Sequence, residues 1–399
     1  MLSLFGATAP ISTSGTSQSD DWPMFHHDAS LTGYSNTEPL KFYPKVLWTT
    51  SYQRGGTFRP LSPAIVNNIV YVNDVGLHAY DSSTGRIIWE QSDHSSAPPV
   101  VEGGVVYTPA GAFDAQTGAV LWKANGYAFA AVANGIYYTD IVERKGEQIN
   151  YMLVALNASN GARLWTNHKL IGLLAPAIAN DQLFFGPYTV NATTGDEVWN
   201  WNVYTGIGVS PAYSNGNVFF GDINGNLYSV NSRNGDIVWN STIAPHGSCS
   251  SPAVAYGLVY MGTAEGKILA LNATDGKKVW SFNTTANYVG SSPAVAGGVV
   301  YAAAYDGNLY ALDAYNGMEL WNYNVGEQPE TGCSPAIANG RIYIGSIFTH
   351  LTVLETDPFN VVVVSTLTVF TILICGVILV MYRGRRKTTL TRSSTFSSA

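Results

Sequence analysis

The sequence predicts an all-β protein, an eight-bladed β-propeller of four-stranded antiparallel blades, followed by one transmembrane helix. Three observations support this fold class. A sequence repeat fills the middle of the chain, and seven of its copies end in the pattern Gly-x-x-x-Trp. The 399 residues include 40 glycines, 24 tyrosines and 10 tryptophans, which suit tight turns and short strands. Near the C-terminus, one long segment contains no charged residue.

The repeat is clearest in two successive copies. From Ser251 the chain reads SSPAVAYGLVYMGTAEGKILALNATDGKKVW, and from Ser291 it reads SSPAVAGGVVYAAAYDGNLYALDAYNGMELW. Each copy holds a short apolar segment, an alternating segment, a tight turn with Asp-Gly, Asn-Gly or Glu-Gly, a third strand and a last strand that carries the tryptophan. We therefore expect four antiparallel strands in each copy.

The two ends of the repeat region predict a closed ring. The eighth copy starts at Ser334, lacks a tryptophan and stops at Glu355. An isolated strand, Val46-Leu47-Trp48, precedes the first copy. Together these pieces make one complete unit, so we expect the N-terminal strand to complete the last blade and close the propeller.

The glycines and tryptophans of the repeat point to contacts between blades. A small residue stands six positions before each glycine, and we expect it to leave room for an indole of the next blade. This pattern resembles the tryptophan-docking motif Ala-x-Asp-x-x-x-Gly-x-x-x-Trp of the pyrroloquinoline quinone (PQQ)-type propellers, which Ala311, Asp313, Gly317 and Trp321 match fully. The likeness spans Trp22 to about Glu355 and includes a leader at Asp21 to Ser35. It implies a structural, blade-docking role for Trp48, Trp89, Trp122, Trp165, Trp199, Trp239, Trp280, Trp321, Gly85, Gly118, Gly161, Gly195, Gly235, Gly276 and Gly317.

The same resemblance raises the question of quinone chemistry. Quinoprotein dehydrogenases of this fold hold the quinone over a tryptophan in the central channel, beneath a disulfide between adjacent cysteines. They also bind calcium on carboxylate and amide groups and use an aspartate as base. This sequence has no adjacent cysteines, and its repeats lack the large insertions that form that site. We therefore expect no catalytic residues, no PQQ and no calcium, and we keep a PQQ-dependent dehydrogenase-like, quinone-binding oxidoreductase as the alternative.

No metal site or disulfide framework is predicted. His26, His27 and Asp28 are neighbours on an extended segment, so their side chains alternate between faces. The segment from Asp222 to Asn226 resembles part of a calcium loop, but it lies where each blade has its hairpin turn. Cys249 and Cys333 are the only cysteines that could pair, because Cys375 lies in the apolar segment. We expect thiols rather than a bridge.

Two surfaces are candidates for ligand or partner binding. The segments that lead into the innermost strands place small polar groups around one mouth of the channel, and the candidate ligand contacts there are His246, Ser248, Cys249, Ser291 and Cys333. The hairpin from Asp140 to Tyr151 is the longest of the repeat and carries several charges. It either contacts a protein partner or is a solvated tip.

Five Asn-x-Ser/Thr sequons are candidate glycosylation sites on an exported domain: Asn157, Asn191, Asn240, Asn272 and Asn283. Three of them, Asn157, Asn191 and Asn272, stand at the aspartate position of the docking motif. Turn formation is therefore a sufficient reason for these three asparagines.

The chain outside the repeat predicts a membrane topology. Residues 361–382 contain no charged residue, and as a helix they would extend ~33 Å. A basic tail at 383–399 follows, which indicates the cytoplasmic side. Residues 21–357 form the predicted propeller, outside the cell. Residues 1–20 are either the remnant of a signal peptide, with a small-x-small site at Ala7 to Ala9, or a flexible N-terminus.

Composition and charge limit the function. Charged residues make up only 12% of the chain and the net charge is −7, so the basic surface that nucleic-acid binding needs is absent. We expect a single-pass, cell-surface propeller that is not an enzyme and serves as a binding or scaffold platform for a protein or glycan. A second alternative is an envelope-assembly scaffold like the lipoprotein propellers of bacterial outer membranes, although no lipobox cysteine lies near the N-terminus.

Overall fold

The structure is a computed structural model, and it confirms the predicted all-β propeller of eight four-stranded antiparallel blades. The described residues are 20–51, 62–73, 76–93, 95, 97–145, 148–168, 174–201, 209–245, 247, 250–326, 333–345 and 350–357. Within these residues no helix is long and apolar enough to cross a membrane. The predicted transmembrane helix at 361–382, the basic tail at 383–399 and nearly all of the N-terminal segment 1–20 lie outside them.

The first four blades each contain four strands in chain order, from the axis outward. Their bounds are β3 Ala64–Val66, β4 Ile69–Asn73, β5 Leu77–Asp81 and β6 Ile87–Gln91 in blade 1; β7 Val100–Glu102, β8 Val105–Thr108, β9 Gly111–Asp114 and β10 Val120–Lys123 in blade 2; β11 Ala131–Ala133, β12 Ile136–Lys145, β13 Gln148–Asn157 and β14 Arg163–Asn167 in blade 3; β15 Ala177–Ala179, β16 Gln182–Phe184, β17 Tyr188–Asn191 and β18 Glu197–Asn200 in blade 4.

The remaining blades follow the same order, except that the last one borrows a strand. Their bounds are β19 Ala212–Ser214, β20 Asn217–Gly221, β21 Asn226–Asn231 and β22 Ile237–Thr242 in blade 5; β23 Ala253–Ala255, β24 Leu258–Gly262, β25 Lys267–Asn272 and β26 Lys278–Asn283 in blade 6; β27 Ala294–Ala296, β28 Val299–Ala303, β29 Asn308–Asp313 and β30 Glu319–Asn324 in blade 7; β31 Ala336–Ala338, β32 Arg341–Gly345, β33 His350–Thr356 and the N-terminal β2 Pro44–Ser51 in blade 8.

The ring closes through β2, which is the outermost strand of blade 8. It pairs antiparallel with β33, with Pro44 opposite Thr356 and Trp48 opposite Val353. The isolated strand around Trp48 therefore completes the last unit, as its position in the sequence predicts. A second N-terminal strand, β1 Tyr34–Ser35, adds parallel to the axis-facing edge of β27 in blade 7.

Eight indole side chains join neighbouring blades. The Nε1–H of each donates to a backbone carbonyl at 2.8 to 3.0 Å, which belongs to the next blade in seven cases and to Leu40, just before β2, in the last. The donor and acceptor pairs are Trp48 and Ser82, Trp89 and Ala115, Trp122 and Ala158, Trp165 and Ala192, Trp199 and Ser232, Trp239 and Ala273, Trp280 and Ala314, and Trp321 and Leu40.

The seven repeat glycines accept these indoles. Their φ angles lie between +69° and +76°, and a Cβ on any of them would approach the indole of the preceding blade to between 2.5 and 2.9 Å. The small residue six positions earlier has a different neighbour from the one expected. Ala79 lies opposite Trp89, and Ala311 lies opposite Trp321, each within its own blade. The expectation that this residue faces the next blade's indole is therefore wrong.

Tyrosines on the second strands strengthen the same junctions. Tyr71 and Trp89 both donate to the carbonyl of Ala115, each at 3.0 Å. Tyr301 and Trp321 share the carbonyl of Leu40 in the same way. Buried hydroxyl and indole donors need acceptors, so one carbonyl between two blades satisfies a pair of aromatic side chains.

Candidate functional site at the propeller axis

The leader, residues 22–35, lies against the innermost strands. One edge of each innermost strand pairs with the second strand of its blade, and the other edge faces the axis. In six blades the middle residue of that strand donates its backbone N–H to a leader carbonyl at 2.6 to 2.8 Å. The pairs are Ile65 and Trp22, Val101 and Pro23, Ile178 and Ala29, Tyr213 and Ser30, Val254 and Thr32, and Val295 and Gly33. The leader therefore follows the inside of the ring.

Side chains fix the leader in this position. Trp22 and Leu31 of the leader, and Leu40 between the leader and β2, are almost fully buried, with at most 4% of their surface exposed. Gly33 has φ +66°, and a Cβ there would lie 2.8 Å from the Cβ of Ala253. Only glycine adopts this backbone without cost and lets the leader pass so close to blade 6. The leader then continues directly into β2, so one N-terminal segment occupies both the axis and the rim.

The histidines of the leader do not form a metal site. His26 is buried, its Nδ1 lies 3.2 Å from the carbonyl oxygen of Leu31, and burial lowers its pKa to about 4. The carboxylate of Asp28 accepts hydrogen bonds from the backbone N–H and the hydroxyl of Thr32. Across the described residues, no group of three or more His, Cys, Asp or Glu side chains is placed to hold a metal ion. His26 and His27 have φ +56° and +74°, so the triplet lies in a turn, and the expectation of an extended segment is wrong.

Five serines form a hydrogen-bonded chain around more than half of the ring. Each precedes the proline that leads into an innermost strand. The backbone N–H of one serine donates to the hydroxyl of the serine in the next blade, at 3.0 to 3.2 Å. The order is Ser210, Ser251, Ser292, Ser334 and Ser62. All five are buried, so these small polar groups bind blade to blade.

The opposite side of the ring is apolar. Blades 2, 3 and 4 carry Pro98, Phe129 and Ala175 at or beside the serine position. These three residues, together with Met24 and Phe25 of the leader, line a small cavity of about 20 Å³. The channel is therefore asymmetric, with bonded serines on one side and an apolar cavity on the other.

The predicted ligand contacts at the channel mouth are only partly described. Ser291 and Cys333 are both fully buried. The hydroxyl of Ser291 donates to the carbonyl of Ser292 at 3.4 Å, and burial raises the pKa of the Cys333 thiol. His246, Ser248 and Cys249 lie outside the described residues. Ligand contact by these side chains stays a prediction, as does the thiol state of the cysteines.

The turn at Asp222 explains its resemblance to a calcium loop. Asp222 Oδ1 accepts the backbone N–H groups of Asn224 and Asn226. Its Oδ2 accepts the Nδ2 of Asn226 and the hydroxyl of Tyr228. Both carboxylate oxygens are thus used to hold the hairpin turn.

The five sequons fall into two structural classes. Asn157, Asn191 and Asn272 each accept, at Oδ1, the backbone N–H of the residue two positions later, at 2.8 to 2.9 Å. These bonds form the turn between the third and the outermost strand of a blade, which we call the docking turn. Asn240 and Asn283 lie exposed on the outermost strands of blades 5 and 6. Asn240 and Asn283 are therefore more exposed than the other three, which are only partly exposed.

The long hairpin of blade 3 has the length that the sequence predicts. Its strands β12 and β13 pair over ten residues each. On β12, the carboxylate of Glu143 lies 3.8 Å from the guanidinium of Arg163 on β14, and both side chains are exposed. A surface ion pair of this kind contributes little to stability. The hairpin remains a candidate partner surface.

Two adjacent blades carry an exposed aliphatic surface, the aliphatic rim, that no sequence motif indicates. Ile87 and Ile88 on β6 and Val120 and Leu121 on β10 are 43% to 55% exposed. They are the two residues before Trp89 and Trp122, where a register shift brings both members of each pair to the surface. In the same two positions, blades 3, 4, 6 and 7 carry one charged residue each: Arg163, Glu197, Lys278 and Glu319. Blade 5 also has an exposed aliphatic pair, Ile237 and Val238, but it stands between the charged positions of blades 4 and 6, whereas the pairs of blades 1 and 2 are neighbours.

Comparison with known proteins shows the family of the chain. The family model described as outer membrane protein assembly factor BamB matches residues 44–168 and 188–362. The chain is 28% identical over 247 residues to the BamB of Yersinia pestis, covering 51% of this chain and 62% of that protein. It is 32% identical over 196 residues to the BamB of Legionella pneumophila, covering 42% and 49%. A tetrathionate hydrolase of Acidithiobacillus ferrooxidans is 30% identical over 196 residues, covering 46% and 37%.

The chain thus spans between 37% and 62% of the length of these relatives. Solved structures agree on the fold alone. The quinohemoprotein alcohol dehydrogenase of Comamonas testosteroni superposes with a TM-score of 0.65 at 14% identity, covering 84% of this chain and 80% of that one. BamB of Moraxella catarrhalis superposes with a TM-score of 0.60 at 17% identity, covering 78% and 100%. With three quarters of its residues inside the matching model, the chain belongs to the family of the outer membrane protein assembly factor BamB.

Proposed function

We propose that this chain is a membrane-anchored, non-catalytic scaffold whose propeller binds a protein partner at the cell surface. The observation that carries the proposal is the aliphatic rim of blades 1 and 2. Four exposed aliphatic side chains on two neighbouring outermost strands are unusual for a surface that faces only water. In the part of the chain that the structure describes, each of these strands also has one edge with no neighbouring strand, which a partner strand can join.

Family membership supports the same proposal. The relatives named as BamB are outer membrane protein assembly factors, and an assembly factor acts by binding other proteins. An envelope-assembly scaffold is accordingly the closest specific form of this function. The predicted helix at 361–382 would hold the propeller at the membrane, with the basic tail at 383–399 in the cytoplasm and the propeller outside.

The tryptophans support a non-catalytic function over quinone chemistry. Eight of the ten are engaged between blades, as described above. Trp22 is 1% exposed, and Trp201 packs against Phe220 and Tyr228 while its Nε1–H donates to the carbonyl of Gly235. No tryptophan therefore offers a ring face on which a quinone could lie in the channel. This arrangement supports a function without quinone chemistry.

A photo-crosslinking experiment tests the proposal. A photoreactive amino acid replaces Leu121 in the full chain, in its native host, and crosslinked products are detected through a tag on the C-terminal tail. The control places the same photoreactive residue at Lys278, a rim position of blade 6. We expect a discrete crosslinked species of higher mass from position 121 and none from position 278.

A second variant tests whether the aliphatic surface itself is needed. Ile88→Glu with the probe at position 121 should abolish the crosslink, whereas Lys278→Glu should leave it unchanged. Accessibility of the propeller to protease on intact cells tests the topology in the same samples. A probe at position 121 that captures nothing, or a crosslink that survives Ile88→Glu, would remove the rim as the partner surface.

A further inference from the structure

The first turn of each blade has one unusual occupant. This turn joins the innermost strand to the second strand, and its first residue has φ between +50° and +60° in all eight blades. Asparagine and glycine tolerate this backbone, and seven blades use them: Asn67, Gly103, Asn134, Asn180, Asn215, Gly297 and Asn339. Blade 6 instead has Tyr256, with φ +53°. A bulky aromatic residue pays a conformational penalty here, which points to a function.

The docking turn of the next blade departs from the repeat as well. The third residue of this turn is small or polar in six blades: Ser83, Gln116, Ser159, Thr193, Arg233 and Thr274. Blade 7 has Tyr315 at this position, and 56% of its surface is exposed. Tyrosine has no role in forming the turn, because Asp313 Oδ1 already accepts the backbone N–H groups of Tyr315 and Asn316.

The two unusual tyrosines lie side by side. The ring centroids of Tyr256 and Tyr315 are 5.3 Å apart, and Tyr34 of the leader lies 5.4 Å from Tyr256 on its other side. The hydroxyl of Tyr256 accepts the backbone N–H of Gly298 at 2.9 Å, which fixes its ring. The result is a preorganised aromatic surface with Tyr256 38% and Tyr315 56% exposed.

This surface forms one wall of a groove between blades 6 and 7. The groove has a volume of about 380 Å³, and its lining includes Lys41, Asp313 and the backbone of Gly297 and Gly298. A volume of this size suits a small ligand of one or two rings. An ammonium donor and a carboxylate acceptor therefore stand at the border of two exposed aromatic rings.

We propose that this tyrosine groove binds a carbohydrate. The C–H face of a pyranose ring stacks on an exposed aromatic ring, and its hydroxyls act as donors and acceptors at once. Asp313 would accept from them and Lys41 would donate to them. A quaternary ammonium ligand would be repelled by Lys41. A proline-rich peptide offers mainly carbonyl acceptors, so it supplies no donor to Asp313 beyond the backbone N–H groups of Tyr315 and Asn316.

The groove is separate from the aliphatic rim, so this inference goes beyond the proposed scaffold function. Saturation-transfer NMR tests it on the purified full chain in a detergent without a sugar headgroup. The probes are cellobiose, mannobiose and N,N′-diacetylchitobiose, with tetramethylammonium and a hexaproline peptide as competitors of different chemistry. We expect at least one disaccharide to bind with a Kd below about 10 mM.

Two variants restore the residues that other blades use. Tyr315→Thr copies blades 4 and 6, and Tyr256→Asn copies five other blades, so both should fold. Each should weaken the disaccharide at least tenfold, while Tyr127→Thr, at an exposed tyrosine of blade 3, should not. The proposal is overturned if no disaccharide binds, if a competitor binds instead, or if Tyr315→Thr binds sugar like the unmodified chain. None of these results depends on the rim.

Discussion

Replacing Gly276 by alanine should separate two costs that the docking turn combines. Gly276 has φ +69°, and a Cβ there would lie 2.5 Å from Cε3 of Trp239, in the preceding blade. Gly257, in the first turn of the same blade, has φ +73°, but a Cβ there would have no neighbour within 4 Å. Gly257→Ala is therefore a matched control with the same backbone strain and no contact with an indole.

The magnitudes follow from these contacts. The left-handed backbone costs an alanine roughly 1 to 2 kcal/mol at either position. At position 276 the methyl group must also displace the indole, and overpacking of this kind costs about 1 to 3 kcal/mol. A shift of the ring further weakens the 2.9 Å bond from Trp239 Nε1 to Ala273, which is worth about 1 kcal/mol. We expect Gly276→Ala to lose about 2 to 4 kcal/mol more than Gly257→Ala.

Urea unfolding of the purified chain, followed by tryptophan fluorescence, measures both free energies of unfolding. If the two variants lose the same stability within about 0.5 kcal/mol, then the indole does not depend on the glycine and our account of blade docking fails. Equal destabilisation would mean that strain in the turn is the whole effect.

Three further predictions rest on single contacts. Burial holds the pKa of His26 near 4, below its ordinary value near 6.5. The free energy of unfolding should therefore decline by up to about 3 kcal/mol as the pH falls from 6.5 toward 4. Urea unfolding at pH 7, 5.5 and 4 should show a shallower decline for His26→Gln than for the unmodified chain. Ser292→Ala leaves the backbone N–H of Ser251 buried without an acceptor and should cost about 1 to 2 kcal/mol in the same assay, whereas an unchanged midpoint would dismiss the serine chain. Glycosidase treatment of the native protein should lower its mass only by removing glycans from Asn240 and Asn283. The double variant Asn240→Gln, Asn283→Gln should therefore show no mass shift. The control Asn157→Asp, which copies the aspartate of blades 1, 2 and 7, should show the same mass shift as the unmodified protein.

The sequence predicts the propeller well because its blades are marked by side chains. A glycine with a tryptophan four residues later, such as Gly276 and Trp280, recurs in seven units, and the docking turn sets this spacing. The isolated strand at Trp48 reveals the closure of the ring for the same reason. The sequence does not predict which indole the small residue, such as Ala79, lies opposite. Every blade repeats the same pattern, so the pattern cannot distinguish the tryptophan of the same blade from that of a neighbouring blade.

The sites are harder to predict because their determinants are backbone atoms or departures from the repeat. The leader binds the blades through its backbone carbonyls, which every residue type has. Among its side chains, only Trp22 and Gly33 therefore indicate where the leader runs. Ser291 looks like a polar residue at an open mouth, yet it is fully buried. Tyr256 is the opposite case, because aligning the eight copies shows one aromatic residue among asparagines and glycines.

The course of the N-terminal segment has a consequence for how the molecule comes apart. The segment touches the inside of blades 1, 2, 4, 5, 6 and 7 and then supplies the outer strand of blade 8. Trp321 and its acceptor Leu40 are 281 residues apart in sequence. Such long-range closure makes folding slow, because the ring cannot be sealed until the last blade exists. Conversely, when β2 detaches from β33, the leader that precedes it is no longer held at both ends. The loss of one outer strand therefore weakens the leader's contacts with six other blades. The propeller should therefore unfold as one cooperative unit, and the lifetime of its folded state should be set by the rate at which that single strand detaches.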